Sequence, residues 1–148
     1  MQRFFEDYLK RLEELHGDME SAIEGLPEDA LDWVPGRDMN PISVLVVHVA
    51  GAERYWVGDV VARDPSGRDR AAEFHVRGLS AAALKKRLAD VLAYACGVLE
   101  DLTLEDLEAV RISPRNEREL AVGWSLAHAL AHTAIHVGHV QITRQLWD

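Results

Sequence analysis

The chain has 148 residues and a formal charge of −9, from 25 acids against 16 bases. That balance argues against nucleic acid or an anionic membrane as the main partner, because both are held by clustered cations. No apolar run approaches the roughly 20 residues of a membrane-spanning helix, and a single cysteine, Cys96, excludes an internal disulfide framework and points to a reducing cytoplasm.

The length predicts one domain over residues 1–148. The opening MQRFFEDYLKRLEELHG is amphipathic and acidic, so it does not read as a signal peptide. Phe4, Phe5, Tyr8, Leu9, Leu12, Leu15, Met19 and Ile23 recur at three- and four-residue steps. They predict a first helix from Gln2 to Glu24, ended by Gly25 and Pro27. The loop EGLPEDALDWVPGRDM follows, anchored by Leu31 and Trp33.

The second helix is predicted to start with Asn40 as N-cap and Pro41 in the first turn, and to run to Ala62. Its first half is apolar nearly all round, so it should be deeply buried. His48 lies in that stretch and shares a face with Ala52 and Tyr55. Glu53 and Arg54 are expected to face solvent or a partner. Residues 63 to 78 read as a polar connection with Pro65 and Gly67 as breakers. Ser80 caps a third helix that runs to Leu102 through Leu84, Leu88, Val91, Leu92, Ala95 and Leu99. Cys96 has no cation or base near it in sequence and reads as core rather than as a nucleophile. A second long loop, residues 103 to 120, holds a short turn at TLEDLEAV. The fourth helix runs from Val122 to Trp147. Four long helices, with long loops between helices 1 and 2 and between helices 3 and 4 and no clear strand, predict an all-α four-helix bundle.

The fourth helix carries HALAHTAIHVGH, with His128, His132, His136 and His139. At 100° per residue all four lie within about 40° of His132 around the axis. A lone histidine on an apolar face is usually a hydrogen-bonded core residue, and His16 and His75 take that reading. The ladder is different. Two histidines four apart can bind one cation, and both His128/His132 and His132/His136 have that spacing. A third ligand must come from another helix, and His48 is the best placed. Three neutral imidazoles would hold Zn²⁺, Ni²⁺, Fe²⁺ or Mn²⁺ with positions left open for a small-molecule substrate. The bland rival is a polar seam of imidazoles and hydroxyls. Trp33, Trp56, Trp124 and Trp147 would either line a pocket there or cap helix ends.

GLPEDALDWVPGRDMNPISVLVVHVAGAERYW resembles the entry to the second helix of the DinB/YfiT-like proteins. GWSLAHALAHTAIHVGHVQITRQLW resembles their last helix, and the likeness spans nearly the whole chain. The resemblance implies a four-helix bundle binding a divalent metal through His48, His132 and His136. It prefers the second histidine pair and leaves His128 to the pocket wall. Many relatives read His-Arg-Gly-Gln where this chain has His136, Val137, Gly138 and His139, so that Arg and Gln are absent here. The implied activity is a metal-dependent transferase using a low-molecular-weight thiol: bacillithiol, mycothiol or glutathione. The alternatives are a hydrolase using metal-bound hydroxide and a non-catalytic metal-binding or stress-related bundle. His128, His139 and Tyr55 are the candidate catalytic residues. A homodimer is expected from apolar surface left on a bundle of this size.

Overall fold

A computed structural model describes residues 1–147. The first helix, α1 (Arg3–Ile23), buries Phe5, Tyr8, Leu12, Leu15, Met19 and Ile23, the apolar stripe that its spacing predicts. Gly25 follows at φ +73°, a backbone conformation that disfavours side chains, and stops the helix. A single turn, α2 (Glu28–Leu31), interrupts the first long loop.

The second long helix starts one residue late. Pro41 is its N-cap, and α3 (Ile42–Glu53) buries every residue from Ile42 to Val49. It then widens into a π-helix (Arg54–Ala62) that ends on Arg63 in the left-handed region. Two short features lie beyond the predicted helices. One is α4 (Arg70–Glu73), capped by Asp69, whose Oδ1 accepts from Ala72 N at 3.1 Å. The other follows α5 (Ala81–Glu100) and a 3₁₀ turn (Leu104–Glu108): a hairpin of β1 (Val110–Ile112) and β2 (Glu119–Ala121), antiparallel with Arg111 opposite Leu120. The last helix, α6 (Val122–Trp147), completes the bundle. No described helix is long and apolar enough to cross a membrane.

The core forms two apolar halves. One joins Leu15, Met19 and Ile23 of α1 to Leu45, Val46 and Val49 of α3, Leu84 and Leu88 of α5, and Val137 and Val140 of α6. The other joins Phe5, Tyr8 and Leu12 to Val57 and Val61 of the π-helix, Ala95 and Leu99 of α5, and Val122 and Leu126 of α6. Chain direction follows: α1 and α6 run one way, α3 and α5 the other. In the ring of helices, α5 and α6 each lie between α1 and α3. Parallel neighbours need a connection that returns along the bundle. Residues 63–80 make that return and bring α4 against α3.

Between the two apolar halves lies a polar layer. Glu53 accepts from Thr133 Oγ1 at 2.7 Å and meets His16 Nε2 at 2.8 and 2.9 Å. All three are buried, Glu53 to 1% exposure. The expectation of a solvent-facing Glu53 is therefore corrected: its carboxyl ties α1, α3 and α6 together, and those partners offset much of its desolvation. Arg54 is likewise folded back, donating to Asp59 Oδ1 and Asp64 Oδ2 at 3.1 and 2.9 Å. Cys96 is half-buried rather than core, with Sγ 3.9 Å from Glu100 Oε1.

Candidate metal centre

The chain presents His48 from α3 and His132 and His136 from successive turns of α6. His132 Nε2 lies 3.2 Å from His48 Nε2 and 3.2 Å from His136 Nε2. One ring nitrogen from each residue lies within 4.8 Å of the other two. Nitrogens that share a tetrahedral dication at 2.0–2.1 Å sit about 3.3 Å apart. Two of the three edges therefore match a single tetrahedral cation, and the third is no longer than 4.8 Å.

The far nitrogens of these rings have unequal surroundings. His48 Nδ1 is 3.0 Å from Glu73 Oε1. An ionised carboxylate only accepts, so this bond assigns the proton to Nδ1 and leaves the Nε2 lone pair pointing into the cluster. Glu73 is in turn held by a fork from Arg68, Nε to Oε2 at 2.7 Å and Nη2 to Oε1 at 2.8 Å. Burial opposes ionisation of Glu73, but hydrogen bonds and charge from Arg68 and His48 outweigh it and hold the carboxyl below its ordinary value. Gly51 makes this arrangement fit: a Cβ there would lie 2.1 Å from Glu73 Oε2. His136 Nδ1 meets His139 Nδ1 at 3.2 Å. Among the described residues His132 Nδ1 is buried without a hydrogen-bond partner, and the ring's Nε2 meets the imidazoles of His48 and His136.

Electrostatics keep the cluster receptive to a cation. Desolvation, then the charges of His136, His48, His128 and Arg68, push His132 down to about 3. Desolvation, then His48 and His139, push His136 down to about 4. Both imidazoles are neutral at pH 7 and keep a lone pair to give.

The remaining sequence-predicted residues fall into separate places. His128 belongs to an aromatic wall. Its ring stacks on Trp124 (centroids 4.9 Å apart, planes at 9°), meets Trp56 at 4.6 Å, and lies 6.1 Å from the ring of His132. Desolvation and Arg118 lower its pKa. Trp33 and Trp147 instead pack edge-on against each other at 5.5 Å. The Tyr55 hydroxyl pairs with Ser113 Oγ at 2.6 Å and accepts from Arg115 N at 3.2 Å, which binds it to the hairpin rather than to the imidazoles. His16 is a buried partner of Glu53, and His75 is exposed. Glu73, Arg68 and Gly51 were not legible in sequence. They sit on the crossover loop and on the apolar helix it covers, and no periodicity marks a contact between them.

A family model described as the DinB superfamily matches residues 11–140. Among solved structures, the fold is similar to a conserved protein from Enterococcus faecalis (15% identity, 99% of this chain and 98% of that one, TM-score 0.83). It is also similar to YfiT from Bacillus subtilis (14% identity, 98% and 89%, TM-score 0.77), described as a probable metal-dependent hydrolase with an unusual four-helix bundle topology. At these identities the two likenesses speak for the fold. No curated protein sequence matches the chain.

Proposed function

The chain belongs to the DinB superfamily, and from that premise we propose that it binds one divalent transition metal through His48, His132 and His136 and transfers a low-molecular-weight thiol to a small-molecule substrate. The observation that carries the metal reading is the convergence of three ring nitrogens from two helices within 4.8 Å. When bound, a dication supplies Lewis acidity, which acidifies a thiol that reaches it. The protein residues hold the geometry. Glu73, fixed by Arg68, orients His48 and keeps its proton on Nδ1. His139 steadies His136 from behind. His128, next along the α6 stripe, is the imidazole placed to take a proton from a group lying against the Trp56–Trp124 wall. Bacillithiol, mycothiol and glutathione are the thiols to try.

A second reading, a metal-dependent hydrolase, is favoured by the likeness to YfiT, itself described as a probable metal-dependent hydrolase. Glu73 contacts the far nitrogen of His48, so in that reading the proton acceptor is again His128 or His139 rather than an acid. Dimerisation is also proposed. From Val122 to Thr143 α6 carries no acid or base besides histidine, and Ile135, Ile142 and Leu146 are exposed on the helix.

The deciding experiment uses tag-free protein loaded with Zn²⁺, Ni²⁺, Fe²⁺ or Mn²⁺. Its melting temperature is measured against the three thiols, and its turnover against an ester and amide panel. A thiol-induced rise that needs metal supports the transferase. Ester or amide turnover without any thiol effect selects the hydrolase. Metal-dependent stability with neither response leaves a non-catalytic metal protein.

A further inference from the structure

A second feature lies on the other side of the Arg68–Glu73 pair from the histidines. The returning loop leaves a cleft of ≈ 590 Å³ between α3 and α5, and none of the clustered histidines lines it. Its floor is apolar: Val47 and Ala50 from α3, Val76 after α4, and Val91 from α5. Its rim carries Arg54, Arg68 and Arg87.

The walls are built close to the α3 backbone. The Arg68–Glu73 pair lies flat on Gly51, where a Cβ would meet Glu73 Oε2 at 2.1 Å and Arg68 Nε at 3.1 Å. Arg54 lies on Gly58 in the same way, with Nη1 1.7 Å from where a Cβ would stand. Arg54 is also stacked 3.9 Å above the Tyr94 ring. A side chain at either glycine would displace these groups.

The charges around the cleft are not balanced in their commitments. Every acid there is engaged: Glu73 by Arg68 and His48, Asp69 by the N–H of Ala72, Asp90 by Lys86. Arg54 is engaged by Asp59 and Asp64. Arg68 uses Nε and Nη2 on Glu73, which leaves Nη1. Arg87 has no acid partner among the described residues. Arg87 with its whole guanidinium, and Arg68 with the N–H groups of Nη1, line the same cleft as the apolar side chains. That combination suits a ligand with a single negative charge and an apolar body. A planar carboxylate matches the guanidinium fork, and one uncommitted cation balances a monoanion better than a phosphate dianion.

We propose that this cleft is a binding site for a small organic carboxylate, its anion held by Arg87 and Arg68 and its apolar body lying on Val47, Ala50, Val76 and Val91. The cleft shares Arg68 and Glu73 with the support of His48 but needs no metal, so its test uses metal-free protein and does not stand or fall with the reading of the histidine cluster. Titration calorimetry compares 4-phenylbutyrate, its uncharged analogue 4-phenyl-1-butanol, and acetate, which keeps the charge and loses the body. A ligand of this size should bind with a Kd of about 1 mM. The alcohol and acetate should each bind about tenfold more weakly. Arg87→Gln should reduce phenylbutyrate to the level of the alcohol and leave the alcohol unchanged. Ala50→Phe should fill the floor and abolish binding of both. Because Arg87 is exposed, its variant decides the matter even if Ala50→Phe disturbs the helix. Absence of saturable phenylbutyrate binding, or binding that Arg87→Gln does not weaken, would overturn the proposal.

Discussion

Gly51→Ala is the most informative single change to the proposed metal centre, because it alters no polar group. Glycine in a helix interior costs about 1 kcal/mol relative to alanine, so on propensity alone the substitution should stabilise. The structure reverses that sign. The new Cβ would stand 2.1 Å from Glu73 Oε2 and 2.8 Å from its Cδ, roughly 1 Å inside an ordinary contact. Glu73 must move, yet it is pinned by both Arg68 and His48. A hydrogen bond to a charged group contributes about 1.5–3 kcal/mol, so losing the His48 bond outweighs the propensity gain and leaves about 1 kcal/mol of net destabilisation. Freed from Glu73, His48 loses its fixed tautomer and orientation, which costs about 10- to 100-fold in metal affinity. The assay is competition for Zn²⁺ against a chromophoric chelator, with urea melts of the metal-free protein alongside. Gly97→Ala is the control, since nothing lies within 4 Å of its new Cβ, and it should stabilise with unchanged affinity. If Gly51→Ala behaves like Gly97→Ala in both measurements, the account of Glu73 as the support of His48 is wrong.

Other consequences concern the buried layer, the neighbouring tyrosine and pH. Glu53→Leu strips His16 and Thr133 of their partner and should cost about 3 kcal/mol in a urea melt, while Glu53→Gln, which keeps an acceptor, should cost less than half of that. Equal losses in the two variants would mean that packing, not hydrogen bonding, matters there. Tyr55→Phe removes the bond to Ser113 and should lower stability by about 1 kcal/mol without changing metal affinity. A tenfold affinity loss would return its hydroxyl to the site. His132 and His136 have folded-state values of about 3 and about 4, below the ordinary 6.5. The unfolded chain therefore takes up these protons first as pH falls, and stability of the metal-free protein should drop from about pH 6.5 down to about pH 3. His132→Asn should flatten that slope in melts across the range, and an unchanged slope would assign the effect to other groups. Partial exposure of both rings keeps the effect modest.

The parts of this structure that sequence revealed share one property: they repeat along a single helix. The α1 stripe and the α6 imidazoles recur every three or four residues, and the cap at Ser80 needs only Ala83 N nearby. The unrevealed parts are made by contacts between distant segments. Glu53 lies beside Arg54 in the second predicted helix, where a charged pair reads as solvent-facing, and its burial depends on His16 and Thr133 from two other helices. Glu73 becomes a partner of His48 only because residues 63–80 return along the bundle. The hairpin strands are three residues long, too short for the alternation Val110, Arg111, Ile112 to announce them. The π-helix from Arg54 to Ala62 keeps an ordinary helical composition.

The most direct test of the account is the metal content of tag-free protein after incubation with Zn²⁺, Ni²⁺, Fe²⁺ or Mn²⁺ and gel filtration, read by plasma mass spectrometry. One equivalent of one of these metals is expected in the wild-type chain. It should be lost in His48→Ala, His132→Ala and His136→Ala and retained in His75→Ala. Sub-stoichiometric metal in the wild type, or full occupancy after removal of His48, would contradict the claim that α3 and α6 share one ion.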